Sequence, residues 1–89
     1  MKVEVLFFGR PRELAGTSKE VVSLKVGTNL SNIFEVLGRR HGDDLKTELS
    51  NLENLIILVN GRHYTTLNGI ETVLKDEDTV AILPVIFGG

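Results

Sequence analysis

Apolar and polar residues alternate at the start of the chain, and this alternation predicts a β-strand. Val3, Val5 and Phe7 fall on one face of the strand. Leu6 and Phe8 fall on the opposite face, which therefore becomes apolar toward the end of the strand. We interpret the next segment, GRPRELAG, as a loop because it carries two glycines and a proline.

A second strand is predicted in SKEVVSLKV, where Val22, Leu24 and Val26 share one face. The two strands are expected to form a hairpin with a long connection. The following segment, GTNLSNIFEVLGRRHG, changes to helical spacing. Its apolar positions i, i+3, i+4 and i+7 are Leu30, Ile33, Phe34 and Leu37. Thr28 or Asn29 is expected to cap this helix, and Gly42 to end it.

The second half of the chain predicts shorter elements. DDLKTELSNLEN is typical of a short helix or turn, and LIILV of a strand buried on both faces. The NG at residues 60–61 indicates a tight turn, RHYTTL a short edge strand and KDED a polar turn. TVAILP is the last predicted strand, and Pro84 is expected to end its pairing because proline lacks an N–H.

This order of elements predicts an α+β domain in which one main helix covers one face of a mixed sheet of about four to five strands. The β-grasp, or ubiquitin-like, roll fits the order. We assign residues 1–84 to this domain and residues 85–89 to a flexible tail.

Composition excludes several classes of function. The 89 residues suffice for one domain, and a net charge of −2 gives no electrostatic footprint for nucleic acid or an anionic membrane. The chain has no cysteine, and its two histidines, His41 and His63, lack the spacing of metal ligands. We find no catalytic constellation, no cofactor site and no membrane span, and we expect the protein to be cytoplasmic.

The segment AILPVIFGG, at residues 81–89, carries the remaining functional signal. Glycine has no side chain and allows close approach of the backbone, so a Gly-Gly end fits a narrow slot in another protein. The apolar residues Val85, Ile86 and Phe87 precede it and are expected to be buried in that partner. The alternative is that these three residues continue the last strand of the core. The tail is therefore interpreted as a substrate.

These segments resemble the MoaD/ThiS sulfur carriers and the archaeal ubiquitin-like small modifiers, which are β-grasp proteins ending in Gly-Gly. The resemblance lies in VLFFGRPRELAG, in VNGR at residues 59–62, and in LNGIETVLKDEDTVAILPVIFGG. The last segment joins the NG turn, the acidic turn and the tail in the family's order. The family often has glycine in the acidic turn where this chain has Glu77.

The resemblance implies a chemistry for the tail. An E1-like adenylating enzyme of the MoeB/ThiF type would activate Gly89 with ATP, and a sulfur donor would convert it to a thiocarboxylate. Gly88 would thread the slot, and a MoaE-like large subunit would use the sulfur in molybdopterin synthesis. The alternatives are a modifier joined to lysines of target proteins, or a carrier for thiamine thiazole or tRNA thiolation. An RNA-binding or scaffold module would require a basic stripe, which the sequence does not show.

The strand pattern also predicts where a partner docks. If the helix covers the Val5 side of the sheet, an apolar patch remains on the other face, and exposed apolar surface marks interaction sites. The patch comprises Leu6, Phe8, Ala81 and Leu83. The alternative is a sheet covered on both faces, with residues 43–54 lying over this patch.

Overall fold

The computed structural model of the chain describes residues 1–85. The strands are β1 (Lys2–Phe7), β2 (Lys19–Ser23), β3 (Leu55–Val59), β4 (Arg62–His63) and β5 (Thr79–Pro84). The helices are α1 (Gly9–Ala15), α2 (Leu30–His41) and α3 (Asp43–Ser50). Short 3-10 turns lie at Leu52–Asn54, Tyr64–Thr66 and Gly69–Glu71.

The five strands form one mixed sheet in the order β2-β1-β5-β3-β4. The first and last strands, β1 and β5, run parallel beside each other, whereas every other neighbouring pair is antiparallel. The predicted α+β class is therefore confirmed, as is the hairpin of β1 and β2. Pro84 ends β5 as predicted, although the next residue, Val85, still donates its N–H to the carbonyl of Asn54 at 3.0 Å.

The core lies on one side of the sheet. Val3, Val5 and Phe7 of β1 are at most 1% exposed and belong to one cluster with the apolar stripe of α2. The cluster also includes Leu45 and Leu49 of α3. The sequence allowed either a short helix or a turn in DDLKTELSNLEN, and the structure shows a helix there that packs beside α2. The prediction of one main helix is thus incomplete, because α1 and α3 extend the helical layer.

Of the two residues predicted to cap the start of α2, the structure confirms Asn29. The side chain of Asn29 accepts a hydrogen bond from the N–H of Asn32 at 2.9 Å, and the side chain of Asn32 accepts one from the N–H of Asn29 at 3.2 Å. This reciprocal pair satisfies two N–H groups that have no partner inside the helix. Gly42 follows the last helical residue, with a φ of 101°.

The prediction that GRPRELAG is a loop is wrong, because this segment forms α1. Pro11 lies in the first turn, where backbone N–H groups have no hydrogen-bond partner within the helix, so the lack of an N–H in proline breaks no helical bond. Gly16 follows the helix in the left-handed region, with a φ of 73°, and donates its N–H to the carbonyl of Arg12 at 2.9 Å. The glycines therefore bound a helix and do not interrupt one.

Two strand predictions run too far. The shared face expected in the second strand does not reach Val26, which is 90% exposed. Pairing with β1 ends where the Leu24 N–H donates to the Met1 carbonyl at 2.8 Å, so Val26 lies beyond the sheet. The predicted edge strand RHYTTL pairs only over Arg62–His63, since the chain turns into a 3-10 helix at Tyr64–Thr66.

The NG turn and the acidic turn are held to each other by side chains. Asn60 and Gly61 have φ values of 52° and 84°, as a tight NG turn requires. The Asn60 amide donates to Asp78 Oδ1 at 2.8 Å and accepts from the Thr79 N–H at 2.9 Å. Both predicted turns are confirmed, and this contact explains why their residue types occur together.

Candidate partner-binding site

The sheet has a second face, opposite the helices, which we call the open face. Its three central strands contribute five apolar side chains, all half-buried: Leu6 on β1, Ile56 and Leu58 on β3, and Ala81 and Leu83 on β5. The strand register places them side by side, because Ala81 pairs with Leu6 on one side and with Leu58 on the other. The open face is therefore a continuous apolar strip across the three central strands.

The structure confirms where the predicted patch residues lie. Leu6, Ala81 and Leu83 are on the open face, and Phe8 follows β1 with 45% of its surface exposed. The Phe8 N–H donates to the Ile82 carbonyl at 3.0 Å, which fixes it beside the end of β5. Their role in binding a partner stays a prediction.

The prediction that LIILV is buried on both faces is wrong. Leu55, Ile57 and Val59 are at most 5% exposed, whereas Ile56 and Leu58 are half-buried on the open face. A continuous apolar run has no alternation to separate the two faces. The signal that would have revealed these two residues is the pairing of β3 with β5, which sequence spacing does not give.

The alternative in which residues 43–54 cover the patch is also wrong. Leu45 and Leu49 of α3 are at most 3% exposed and point into the core cluster shared with α2. The helix therefore lies on the helical side of the sheet. Within residues 1–85, the open face is left to the solvent.

The chain leaves the sheet next to the open face. Pro84 stands against Gly9, the first residue of α1, so closely that a Cβ on Gly9 would lie 2.6 Å from Pro84 Cγ. On the side of β3, the residue after β5 is still hydrogen-bonded, because the Val85 N–H donates to the carbonyl of Asn54. We call Pro84 and Val85 the tail root. Val85 is half-buried, and the predicted site residues Ile86, Phe87, Gly88 and Gly89 lie outside the described residues.

One ion pair lies on the open face, and a second charged cluster lies on the helical side of the sheet. Lys19 and Glu4 are an exposed ion pair, with Nζ and Oε2 3.5 Å apart. On the helical side, His41 Nε2 lies 2.6 Å from Glu20 Oε1, and Arg40 contacts the other oxygen at 3.2 Å. This cluster ties β2 to the end of α2.

The second histidine also has a local role, since His63 Nδ1 lies 2.7 Å from the hydroxyl of Thr65. Among residues 1–85, no group of three or more potential ligands is placed to hold a metal ion. No helix in the same part of the chain is long and apolar enough to cross a membrane.

The mixed sheet, the helical layer on one face and the parallel pairing of the first and last strands define a ubiquitin-like β-grasp domain. A family model described as the ThiS family matches residues 5–89. The chain belongs to this family, as the resemblance predicted.

Relatives with this fold carry informative names. The molybdopterin synthase sulfur carrier subunit of Drosophila erecta is 34% identical over 90 residues, covering 100% of this chain and 92% of the relative. The small archaeal modifier protein 1 of Methanosarcina acetivorans is 31% identical, with a TM-score of 0.80, over 99% of this chain and 96% of that one.

A third similar structure is a complex. It is described as a protein–protein complex of subunits 1 and 2 of the molybdopterin-converting factor from Helicobacter pylori. The matching chain is 26% identical, with a TM-score of 0.66, and each chain covers 100% of the other. A protein similar to this one is thus known in complex with a second subunit.

Proposed function

We propose that this chain is a sulfur carrier whose Gly89 carboxylate is adenylated and converted to a thiocarboxylate. It then acts as the small subunit of a molybdopterin synthase, beside a MoaE-like large subunit. The observation that carries the proposal is the open apolar face at the tail root, because it provides a docking surface beside the segment that would react. The names of the relatives support the same function.

The proposed chemistry takes place on partners, and the chain is the carrier and not the catalyst. A carboxylate is a poor acyl donor, so an E1-like enzyme of the MoeB/ThiF type would use ATP to activate it. The Gly89 carboxylate attacks the α-phosphorus of ATP, which releases pyrophosphate and leaves an acyl adenylate. A sulfur nucleophile at the oxidation level of sulfide then displaces AMP and leaves the thiocarboxylate. Because the chain has no cysteine, the carboxyl end is where it would hold sulfur.

The intact mass of the protein tests this proposal. The chain is coexpressed with an E1-like enzyme and a sulfur donor, and the expected result is the mass increase for replacing one oxygen by sulfur. A variant that lacks Gly89, or that carries one extra residue, is the control and should fold normally without gaining this mass. Normal ATP–pyrophosphate exchange with the extended variant would refute Gly89 as the reactive residue.

A second candidate function is supported by the similarity to small archaeal modifier protein 1. In this alternative the activated Gly89 is joined to lysines of target proteins. Mass spectrometry of a cell extract digested with protease distinguishes the two functions. When the protease cuts between Phe87 and Gly88, each conjugated lysine of a target protein keeps a Gly-Gly remnant. Accumulation of the thiocarboxylate without such remnants favours the sulfur carrier.

A further inference from the structure

Strand β2 forms one edge of the sheet. It pairs only with β1, whereas the strand at the other edge, β4, is two residues long. At the end of the β1–β2 ladder, Met1 and Leu24 exchange two hydrogen bonds, at 2.9 and 2.8 Å. Bonded and non-bonded pairs alternate along an antiparallel ladder. The backbone N–H and C=O groups of Lys19, Val21 and Ser23 therefore point away from β1.

Only one end of this edge is protected. The Thr17 hydroxyl donates to the Lys19 carbonyl at 3.0 Å and accepts from the Lys19 N–H at 3.4 Å. The outward groups of Val21 and Ser23 have no such partner within residues 1–85. Native sheets protect their edges with proline, bulges or charged side chains, and residues 21–23 have none of these. We call residues 21–23 the free edge, and its central valine side chain, that of Val21, is 52% exposed.

An acidic hollow lies beside the free edge, on the open face of the sheet. Val21 lines it, and its volume is about 350 Å³. Its charged lining consists of Lys2 and of the carboxylates of Glu4, Asp76 and Glu77. Glu4 lies directly opposite Val21 on β1. Within residues 1–85, Asp76 and Glu77 make no salt bridge, so the hollow attracts positive charge.

We propose that the free edge binds an extended segment of another protein, which adds an antiparallel strand beside β2 and carries lysine or arginine at alternate positions. The outward backbone groups of Val21 and Ser23 provide the hydrogen bonds of such a strand, and its side chains provide specificity. A basic side chain opposite Val21 packs its apolar stem on the exposed valine. Its charged head then reaches the hollow, because neighbouring strands are only about 4.8 Å apart.

The helical side of the sheet determines the other positions of the bound segment. There Arg40 Nη1 already lies 3.2 Å from Glu20 Oε2. Side chains that point to this side meet a carboxylate that is already paired and the positive charge of Arg40. The segment that fits therefore has uncharged residues between its basic ones.

The charges of β2 oppose a second copy of the chain as the occupant. A two-fold dimer pairs β2 with itself in antiparallel orientation, and residues that face the same side must then lie opposite each other. In one register Glu20 faces its own counterpart. In the next, Lys19 lies opposite Ser23 and therefore beside Lys2, and in the third Lys19 faces Lys25. Each register brings like charges together across the pair, which is unfavourable.

A strand added beside β2 leaves the tail root accessible. Both β2 and β1 lie between the added strand and β5. A protein bound at the free edge therefore holds the domain without covering the end of β5 or the apolar strip on the open face. The inference adds a second partner surface to the one in the proposed function, and it does not depend on the thiocarboxylate.

Short synthetic peptides test the proposal on the full, unchanged chain. The probe is a blocked peptide in which arginine and threonine alternate, and a peptide with glutamate in place of arginine is the control for charge. Binding is followed by amide chemical shifts and by hydrogen exchange. We expect the arginine peptide to bind and to slow exchange at Val21 and Ser23, whose N–H groups it would engage. The glutamate peptide should not bind.

Methylation of the peptide backbone separates strand addition from attraction between charges. In the proposed pairing, the arginine N–H groups face β2 and the threonine N–H groups face the solvent. Methylating the arginine nitrogens should abolish binding, whereas methylating the threonine nitrogens should preserve it. Equal binding of the two methylated peptides would overturn the proposal, and so would the reverse order of affinities.

Variants of the protein test the same contacts from the other side. Val21→Pro removes an outward N–H and leaves the bonds to β1 intact, and proline is tolerated at such edge positions. It should weaken binding by about fivefold or more, whereas Val21→Thr keeps the N–H and should stay within about twofold. Glu77→Lys should also weaken binding. Glu53→Lys is its matched control, because Glu53 precedes β3, on the far side of β5.

Two further outcomes would overturn the proposal. Shifts confined to Asp76 and Glu77, without slower exchange at Val21, would show attraction by charge alone. A dimer of the chain without peptide, seen by sedimentation and lost in Val21→Pro, would show that a second copy occupies the edge. None of these measurements uses the activating enzyme, so failure of adenylation would leave this inference standing.

Discussion

Gly9 and Pro84 meet where the first helix begins and the last strand ends. A Cβ on Gly9 would lie 2.6 Å from Cγ and 3.0 Å from Cδ of the proline ring, and Gly9 has a φ of 60°. The proline ring is rigid and cannot move aside as a long flexible side chain would. Glycine at this position therefore allows α1 to start directly beneath the tail root.

Replacing Gly9 by alanine should destabilise the domain for two reasons. The left-handed backbone costs an L-residue about 1–2 kcal/mol, and the contact with Pro84 adds about 1–3 kcal/mol of overpacking. Gly16→Ala is the matched control, because Gly16 has a φ of 73° but no atom within 4 Å of its Cβ position. Chemical denaturation should show the larger loss in free energy of unfolding for Gly9→Ala. Equal losses for the two variants would mean that Pro84 shifts to make room for the added Cβ.

Glu77→Gly should stabilise the protein. Glu77 has a φ of 68°, a conformation that glycine adopts without strain. The gain should be about 0.5–1 kcal/mol, because the greater freedom of glycine in the unfolded chain offsets part of the relieved strain. Glu77→Ala is the control for loss of the carboxylate, and urea denaturation compares the three proteins. A gain with alanine equal to that with glycine would assign the effect to charge and not to the backbone.

Phe8→Glu should weaken binding to the E1-like or MoaE-like partner by about tenfold or more, which corresponds to about 1.4 kcal/mol. Its cost in stability should be small, since Phe8 is 45% exposed. Val5→Glu is the contrasting variant and should unfold the domain, because Val5 is 0% exposed. Calorimetric titration with the partner measures the effect. Normal binding by a folded Phe8→Glu protein would refute the predicted patch of Leu6, Phe8, Ala81 and Leu83 as the partner surface.

Gly88→Val should block activation, whereas Gly88→Ala should reduce it only in part. The physical reason is the bulk that a branched side chain brings to a slot that glycine leaves open. The ATP–pyrophosphate exchange rate of the E1-like partner measures both variants at matched fold stability. Equal activity of the two would show that no narrow slot surrounds this residue.

The order of the strands, the position of α2 and the two faces of β1 could be predicted from the sequence because apolar spacing depends directly on strand and helix geometry. The faces of β3 could not, since Ile56 and Leu58 are as apolar as their neighbours and differ from them only in the side of the sheet on which they lie. In GRPRELAG the same glycine and proline that favour a loop also favour the two ends of a helix. The contact between Asn60 and Asp78 depends on distant segments packing together, which local pattern does not encode.

The central position of β5 determines when the domain can fold during synthesis. The strand lies between β1 and β3, so a nascent chain that has not yet delivered Thr79–Pro84 holds only the two-stranded ribbons β1–β2 and β3–β4. Isolated ribbons of this kind are marginally stable in water. The ribosome must therefore release almost all of residues 1–84 from its exit tunnel before the sheet closes, and until then the apolar strands are exposed and prone to aggregation.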